Sequence, residues 1–140
     1  MIRASCRIGA LLLAALVLIP TAGRACGVSP APPSIPVQQG QAYDLAVRSD
    51  PAPLRTGEPF TLHVTVCPKS GAAAVETITA DATMPDHRHG MNYRPRITRE
   101  GANRFRADGF LLHMPGRWQF AVELRSGASR ELITWDITLP

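Results

Sequence analysis

Residues 118–139 read WQFAVELRSGASRELITWDITL. Two alternating runs lie in this stretch. Trp118, Phe120, Val122 and Leu124 share one parity, and Ile133, Trp135, Ile137 and Leu139 share another, with Ser126-Gly127-Ala128-Ser129 between them. In a strand, successive side chains leave opposite faces, so a period of two with an apolar set on one parity marks a half-buried strand. A polar, glycine-bearing joint between two such runs marks a hairpin. Both tryptophans are therefore expected to point into the core.

The same period recurs upstream. Tyr43, Leu45 and Val47 alternate with polar or small neighbours and stop at Asp50-Pro51. Phe60, Leu62, Val64 and Val66 alternate with Thr61, His63, Thr65 and Cys67, which places the cysteine off the core parity. Val75 to Thr83, with Ile78, Ala80 and Ala82 on one parity, ends at Met84-Pro85. Tyr93 to Arg99 and Asn103 to Ala107 flank Glu100-Gly101-Ala102 as a hairpin, and Phe110 to Met114 follows as a short strand. Turn signals at roughly 8–12-residue spacing between short strands predict an all-β chain, an immunoglobulin-like Greek-key β-sandwich of seven to eight strands. Thirteen prolines and 11 glycines in 140 residues are too many for a helical bundle and too few for disorder. The length suits one domain.

The amino-terminal residues read as a secretory signal over 1–25. Arg3 and Arg7 form the basic region, Ala10 to Ile19 the apolar run, and Gly23-Arg24-Ala25 the small-residue cleavage site. An apolar run this short falls well below the roughly 20 residues a spanning helix needs. After cleavage no transmembrane segment is expected, and the expected compartment is the periplasm or another exported location. The formal charge of +4 falls with the signal: without Arg3, Arg7 and Arg24, 12 basic residues face 11 acidic ones. Such a balance, interspersed along the chain, argues against nucleic acid as a partner.

Residues 26–40 hold Pro30, Pro32, Pro33 and Pro36 and predict an extended leader with little hydrogen bonding of its own. The domain proper is expected over 41–140. Cys26 and Cys67 are the two cysteines outside the signal, and an even number in an oxidising compartment suggests a Cys26–Cys67 disulfide. The alternative is acylation of Cys26, which would leave Cys67 a free exported thiol.

The chemistry-bearing residues are unevenly placed. Met84, His87, His89 and Met91 fall within MPDHRHGM, and His113-Met114 precedes Pro115-Gly116. Imidazole with thioether is a ligand set suited to copper, the thioether favouring Cu(I) and the imidazole serving Cu(I) or Cu(II). Zinc more often recruits cysteine or carboxylate. In extended backbone a His-Xaa-His pair would put both rings on one side, and a positive φ at Gly90 would return Met91 to the same spot. The candidate metal ligands are His87, His89, Met91, His113 and Met114. Met84 is a further candidate thioether. Met84 and Met114 also share parity with apolar neighbours and have a core reading beside the ligand one. His63, mid-strand on a polar face, reads as a surface histidine, and the loop around His87 and His89 has a plain solvated reading too.

No nucleophile elbow, phosphate-cradling loop or His-Glu-Xaa-Xaa-His helix is present, so an enzyme is not expected. Arg94, Arg96, Arg99, Arg104 and Arg106 make a basic hairpin, read either as a docking surface for an acidic partner or as a solvated edge that discourages aggregation.

From Met84-Pro85 through Met91, then a hairpin, then His113-Met114-Pro115-Gly116-Arg117-Trp118 entering a strand, the chain resembles the YtkA-like domain family. The resemblance covers roughly 41–140. It implies a small exported immunoglobulin-like sandwich, similar in architecture to CopC-type copper-binding proteins, though the histidine those carry near the mature amino terminus has no counterpart here. The expected function is a periplasmic copper carrier, with a copper-accepting or membrane-bound protein as partner. Two other readings stay open: a metal-independent interaction module docking on a membrane or periplasmic complex, and a three-histidine zinc site with an open, hydrolytic position.

Overall fold

A computed structural model describes residues 35–140; the expected signal, Cys26 and the start of the leader lie outside them. The described chain is all β. Nine strands form: β1 (Ile35–Gln39), β2 (Tyr43–Asp50), β3 (Pro59–Pro68), β4 (Thr77–Met84), β5 (His89–Gly90), β6 (Arg96–Arg99), β7 (Arg104–Leu111), β8 (Gly116–Ser126) and β9 (Ser129–Leu139). They make two antiparallel sheets, ordered β1-β2-β3-β7-β6 and β5-β4-β8-β9. Because β3 pairs β7 and β4 pairs β8, the chain crosses between layers as in immunoglobulin-type Greek keys. Among the described residues no helix is long and apolar enough to cross a membrane.

The count exceeds the expected seven to eight for identifiable reasons. Ile35–Gln39, expected within an unpaired leader, instead adds an irregular edge strand to β2. His89–Gly90 adds a two-residue strand to the edge of β4. In the other direction, the two strands expected at Asn103–Ala107 and Phe110–Met114 are one. Phe60 faces Phe110 while Thr61 faces Asp108, so Gly109, at φ 93°, is an extra residue in a bulge. That bulge switches the inward parity from Phe105 and Ala107 to Phe110 and Leu112, all of them buried.

The core lies between the sheets. Phe60 stacks on Phe110 at 5.2 Å, Phe110 meets Phe120 at 5.7 Å, and Phe120 stacks on Trp135 at 5.2 Å and 6°. Of the three, the Phe110–Phe120 contact joins the two layers, and aromatic pairs of this kind stabilise beyond their area of burial. Both tryptophans are inward, Trp118 completely so. Cys67 is buried although it lies off the core parity of β3.

Candidate metal centre

One end of the sandwich is built by two connections. The first is the turn from β4 to β5, and the second is the strap over 112–115 that carries the chain from β7 to β8. Met84 closes β4; Pro85 fixes its own φ, and the His87 and Arg88 N–H groups donate to the Met84 and Pro85 carbonyls at 3.1 and 3.3 Å. Arg88 then adopts φ 54°, a left-handed residue that completes the reversal and lets His89 pair with Met84.

This corrects the expected local geometry. His87 and His89 do not share a side of an extended segment; His87 sits in the turn and His89 in the strand. Nor does Gly90 supply the left-handed residue. Its role is close approach: a Cβ there would stand 3.1 Å from the Ala82 carbonyl oxygen and 3.2 Å from Thr83 Cγ2. Met91 N–H donates to the same Ala82 carbonyl at 3.2 Å, which keeps the edge against β4 past Gly90.

The turn nevertheless brings the rings together. His87 and His89 lie 5.8 Å apart between ring centroids, and His89 and His113 lie 5.2 Å apart at 31°. Two imidazoles on one ion, each with a ~2 Å metal–nitrogen bond, have centroids roughly 5–6 Å apart. His89 Nε2 is buried and has no hydrogen-bond partner, a condition that buried polar atoms seldom tolerate. As placed, no group of three His, Cys, Asp or Glu side chains among the described residues is set to hold a metal ion. The cluster is two ring pairs sharing His89.

The remaining candidates divide. Met91, two residues past His89, and Met114, beside His113, are half-buried against the core. His113 itself is exposed, so the neighbours His113 and Met114 face apart. Met84 is a core residue at 1% exposure, with its methyl 3.2 Å from where a Cβ on Gly116 would be. His63 is remote, on the outer face of the other sheet between Arg48 and Arg106, with Glu100 3.9 Å away.

Two features of this end were not legible as site features in the sequence. Trp118 makes near-perpendicular contacts with His89 at 6.1 Å and His113 at 5.5 Å. Its indole N–H donates to the Met114 carbonyl at 2.9 Å, pinning the strap. Asp86 receives two hydrogen bonds from Arg117, which also donates to Asp136. The Arg117 hydrogen bonds hold the Asp86 carboxyl below the usual aspartate range, and the same two carboxylates raise the guanidinium. The sequence signal for Trp118 was its place just past His113; parity alone assigned it to the core.

No protein-family model matches this chain, and no curated protein matches it. Among solved structures, a DUF4785 family protein from Legionella pneumophila subsp. pneumophila str. Philadelphia 1 is similar at TM-score 0.48 and 12% identity. The match covers 71% of this chain and 28% of that one, so the chain spans under a third of that protein's length. A likeness at this level says nothing of function.

Proposed function

We propose that this protein is a copper carrier of the periplasm, holding one ion at the end of the sandwich through His87, His89 and His113, with Met91 as a thioether donor. The observation that carries this reading is the approach of two imidazoles, His87 and His113, to His89, whose buried Nε2 lacks a partner. A ligand set of imidazole and thioether, without a carboxylate or thiolate, suits Cu(I) and tolerates Cu(II) better than it suits zinc. Small rotations of the exposed His87 and His113 rings would complete the coordination around His89. The resemblance to YtkA-like domains and the expected export signal agree with this reading.

Carrying fits the geometry better than storage. The ligands sit on a turn, the two-residue edge strand that follows it and a strap, and His113 is open to a docking partner that could take the ion by ligand exchange. The test is a chelator-buffered titration of the purified protein with Cu(I) and Cu(II), with zinc as control. One-to-one copper binding that disappears in the His87→Ala/His89→Ala variant, with its fold intact by circular dichroism, is the expected result. Binding that persists unchanged in that variant would sink the assignment. No binding above the background of an exposed histidine would leave the metal-independent docking module as the working reading.

A further inference from the structure

The indole of Trp118 stands beside two of the three imidazoles. Its centroid lies 6.1 Å from His89 and 5.5 Å from His113, and those two lie 5.2 Å from each other. The three rings thus form a nearly equilateral triangle. The imidazoles are 31° from parallel, while the indole is 83° from one and 77° from the other. Trp118 is wholly buried and His113 is exposed, which makes the indole the inner member of the trio. The arrangement is two walls and a floor.

The row continues along the sheet. His89 faces Met84 across β5 and β4, and Ala82 faces Phe120 across β4 and β8, Met84 and Trp118 lying two residues further on the same parities. His89, Met84 and Trp118 therefore project from neighbouring strands on one face, and the floor is set by sheet register. The indole N–H is committed to the Met114 carbonyl, which leaves the ring's π system as the group available to an ion.

We propose that Trp118 sets the oxidation-state preference of the site by presenting its indole face to a Cu(I) ion held between His89 and His113. This rests on the copper reading above. Cu(I) is soft and stable at low coordination number, so an ion that engages only two or three of these donors at a time gains from a cation–π contact within about 6 Å of the ring. Cu(II) prefers a tetragonal set completed by nitrogen, oxygen or water, and an indole on one side withholds that water. The floor thereby favours the reduced ion without adding a bond to it.

The experiment uses the full chain in two variants. In Trp135→Phe the sole remaining tryptophan is Trp118. Adding chelator-buffered Cu(I), or Ag(I) as its redox-silent stand-in, is expected to change the indole absorption spectrum and suppress its emission at one equivalent. In Trp118→Phe, Cu(I) affinity is expected to fall about tenfold while Cu(II) affinity holds. If the indole spectrum is unmoved by an ion that the titration shows to be bound, the proposal is overturned and the copper reading stands. If the protein binds no copper at all, both fall. Should Trp118→Phe fail to fold, the spectrum of the Trp135→Phe protein decides by itself.

Discussion

Asp86 and Arg117 are joined by two parallel hydrogen bonds, Nη2 to Oδ1 at 2.7 Å and Nε to Oδ2 at 3.1 Å. Asp86 precedes His87 in the β4–β5 turn, and Arg117 follows the strap that carries His113. The pair therefore ties the two ligand-bearing connections to each other. It is exposed, and exposed pairs contribute little to global stability. Its effect belongs to positioning. Asp86→Asn is expected to leave the melting temperature nearly unchanged and to weaken copper binding about fivefold, short of the 10- to 100-fold typical of a partner bonded directly to a ligand. Chelator competition alongside a thermal melt checks both halves, and equal copper affinity in the variant would show that the connections hold their places without the pair.

The methionines should separate by role. Met84 is sealed in the core beside Gly116, so Met84→Leu, a nearly volume-conserving change, should cost under about 1.5 kcal/mol and leave copper affinity alone. Met91 lies half-buried two residues from His89 and its thioether suits the softer ion. Met91→Leu should lower Cu(I) affinity and spare Cu(II). Parallel titrations of the two variants with both ions make the comparison, and a loss of Cu(I) affinity in Met84→Leu would move that sulfur from the core to the site.

Gly116 opens β8 at φ 110°, a conformation that side chains with a Cβ rarely adopt. A Cβ there would also press on the Met84 methyl at 3.2 Å. Gly116→Ala should therefore destabilise the fold by about 2 kcal/mol. Urea unfolding reads the effect. Because the strap hangs from this residue, the same variant should bind copper less tightly even where it is fully folded.

Much of this architecture was legible because a strand buried on one face advertises itself by parity. Trp118 to Leu124 and Ile133 to Leu139 showed it, and so did the set from Phe60 to Val66. What could not be read depended on partners. The bulge at Gly109 exists only because Phe60 and Thr61 skip a residue opposite it, and the sequence alone suggested two strands there. The clustering of His87, His89 and His113 was visible as composition. Its cause was not, since the reversal falls on Arg88, a residue type with no preference for positive φ, and not on the adjacent Gly90. Trp118 illustrates the general limit: parity gave its burial, but its place beside His89 follows from the β4–β5 and β4–β8 registers together, and its place beside His113 from the strap it pins.

On the far part of β8, Glu123 accepts from Arg125 Nε at 2.7 Å and from Arg130 at 3.2 Å. The hydrogen bond from Arg125, reinforced by both positive charges, holds this carboxyl below its ordinary value of 4.5. A depressed carboxylate binds fewer protons in the folded state than in the unfolded one. Its contribution is therefore complete above pH 4.5 and is lost as pH falls through the lower folded value. Glu123→Gln should flatten the acid limb of a melting temperature against pH curve and leave the neutral plateau almost untouched. An acid limb of unchanged slope would mean that the two arginines do not hold this carboxylate in solution.

Copper should act on stability only through the site. An ion that binds the folded chain and not the unfolded one stabilises by an amount that grows with the logarithm of its free concentration, about 4 kcal/mol at a thousand times Kd. For a domain of this size that corresponds to a rise in melting temperature on the order of 15–30 °C. The unfolded chain still offers His87 and His89 two residues apart, so some binding to it will reduce the gain. Subtracting a His87→Ala/His89→Ala curve taken at the same buffered copper leaves the part due to the assembled cluster. His63→Ala, whose imidazole lies on the opposite sheet beside Glu100, should retain the whole shift. If His63→Ala loses as much of the shift as the double variant, the copper is held by scattered surface imidazoles and not by the end of the sandwich where His89 meets His87 and His113.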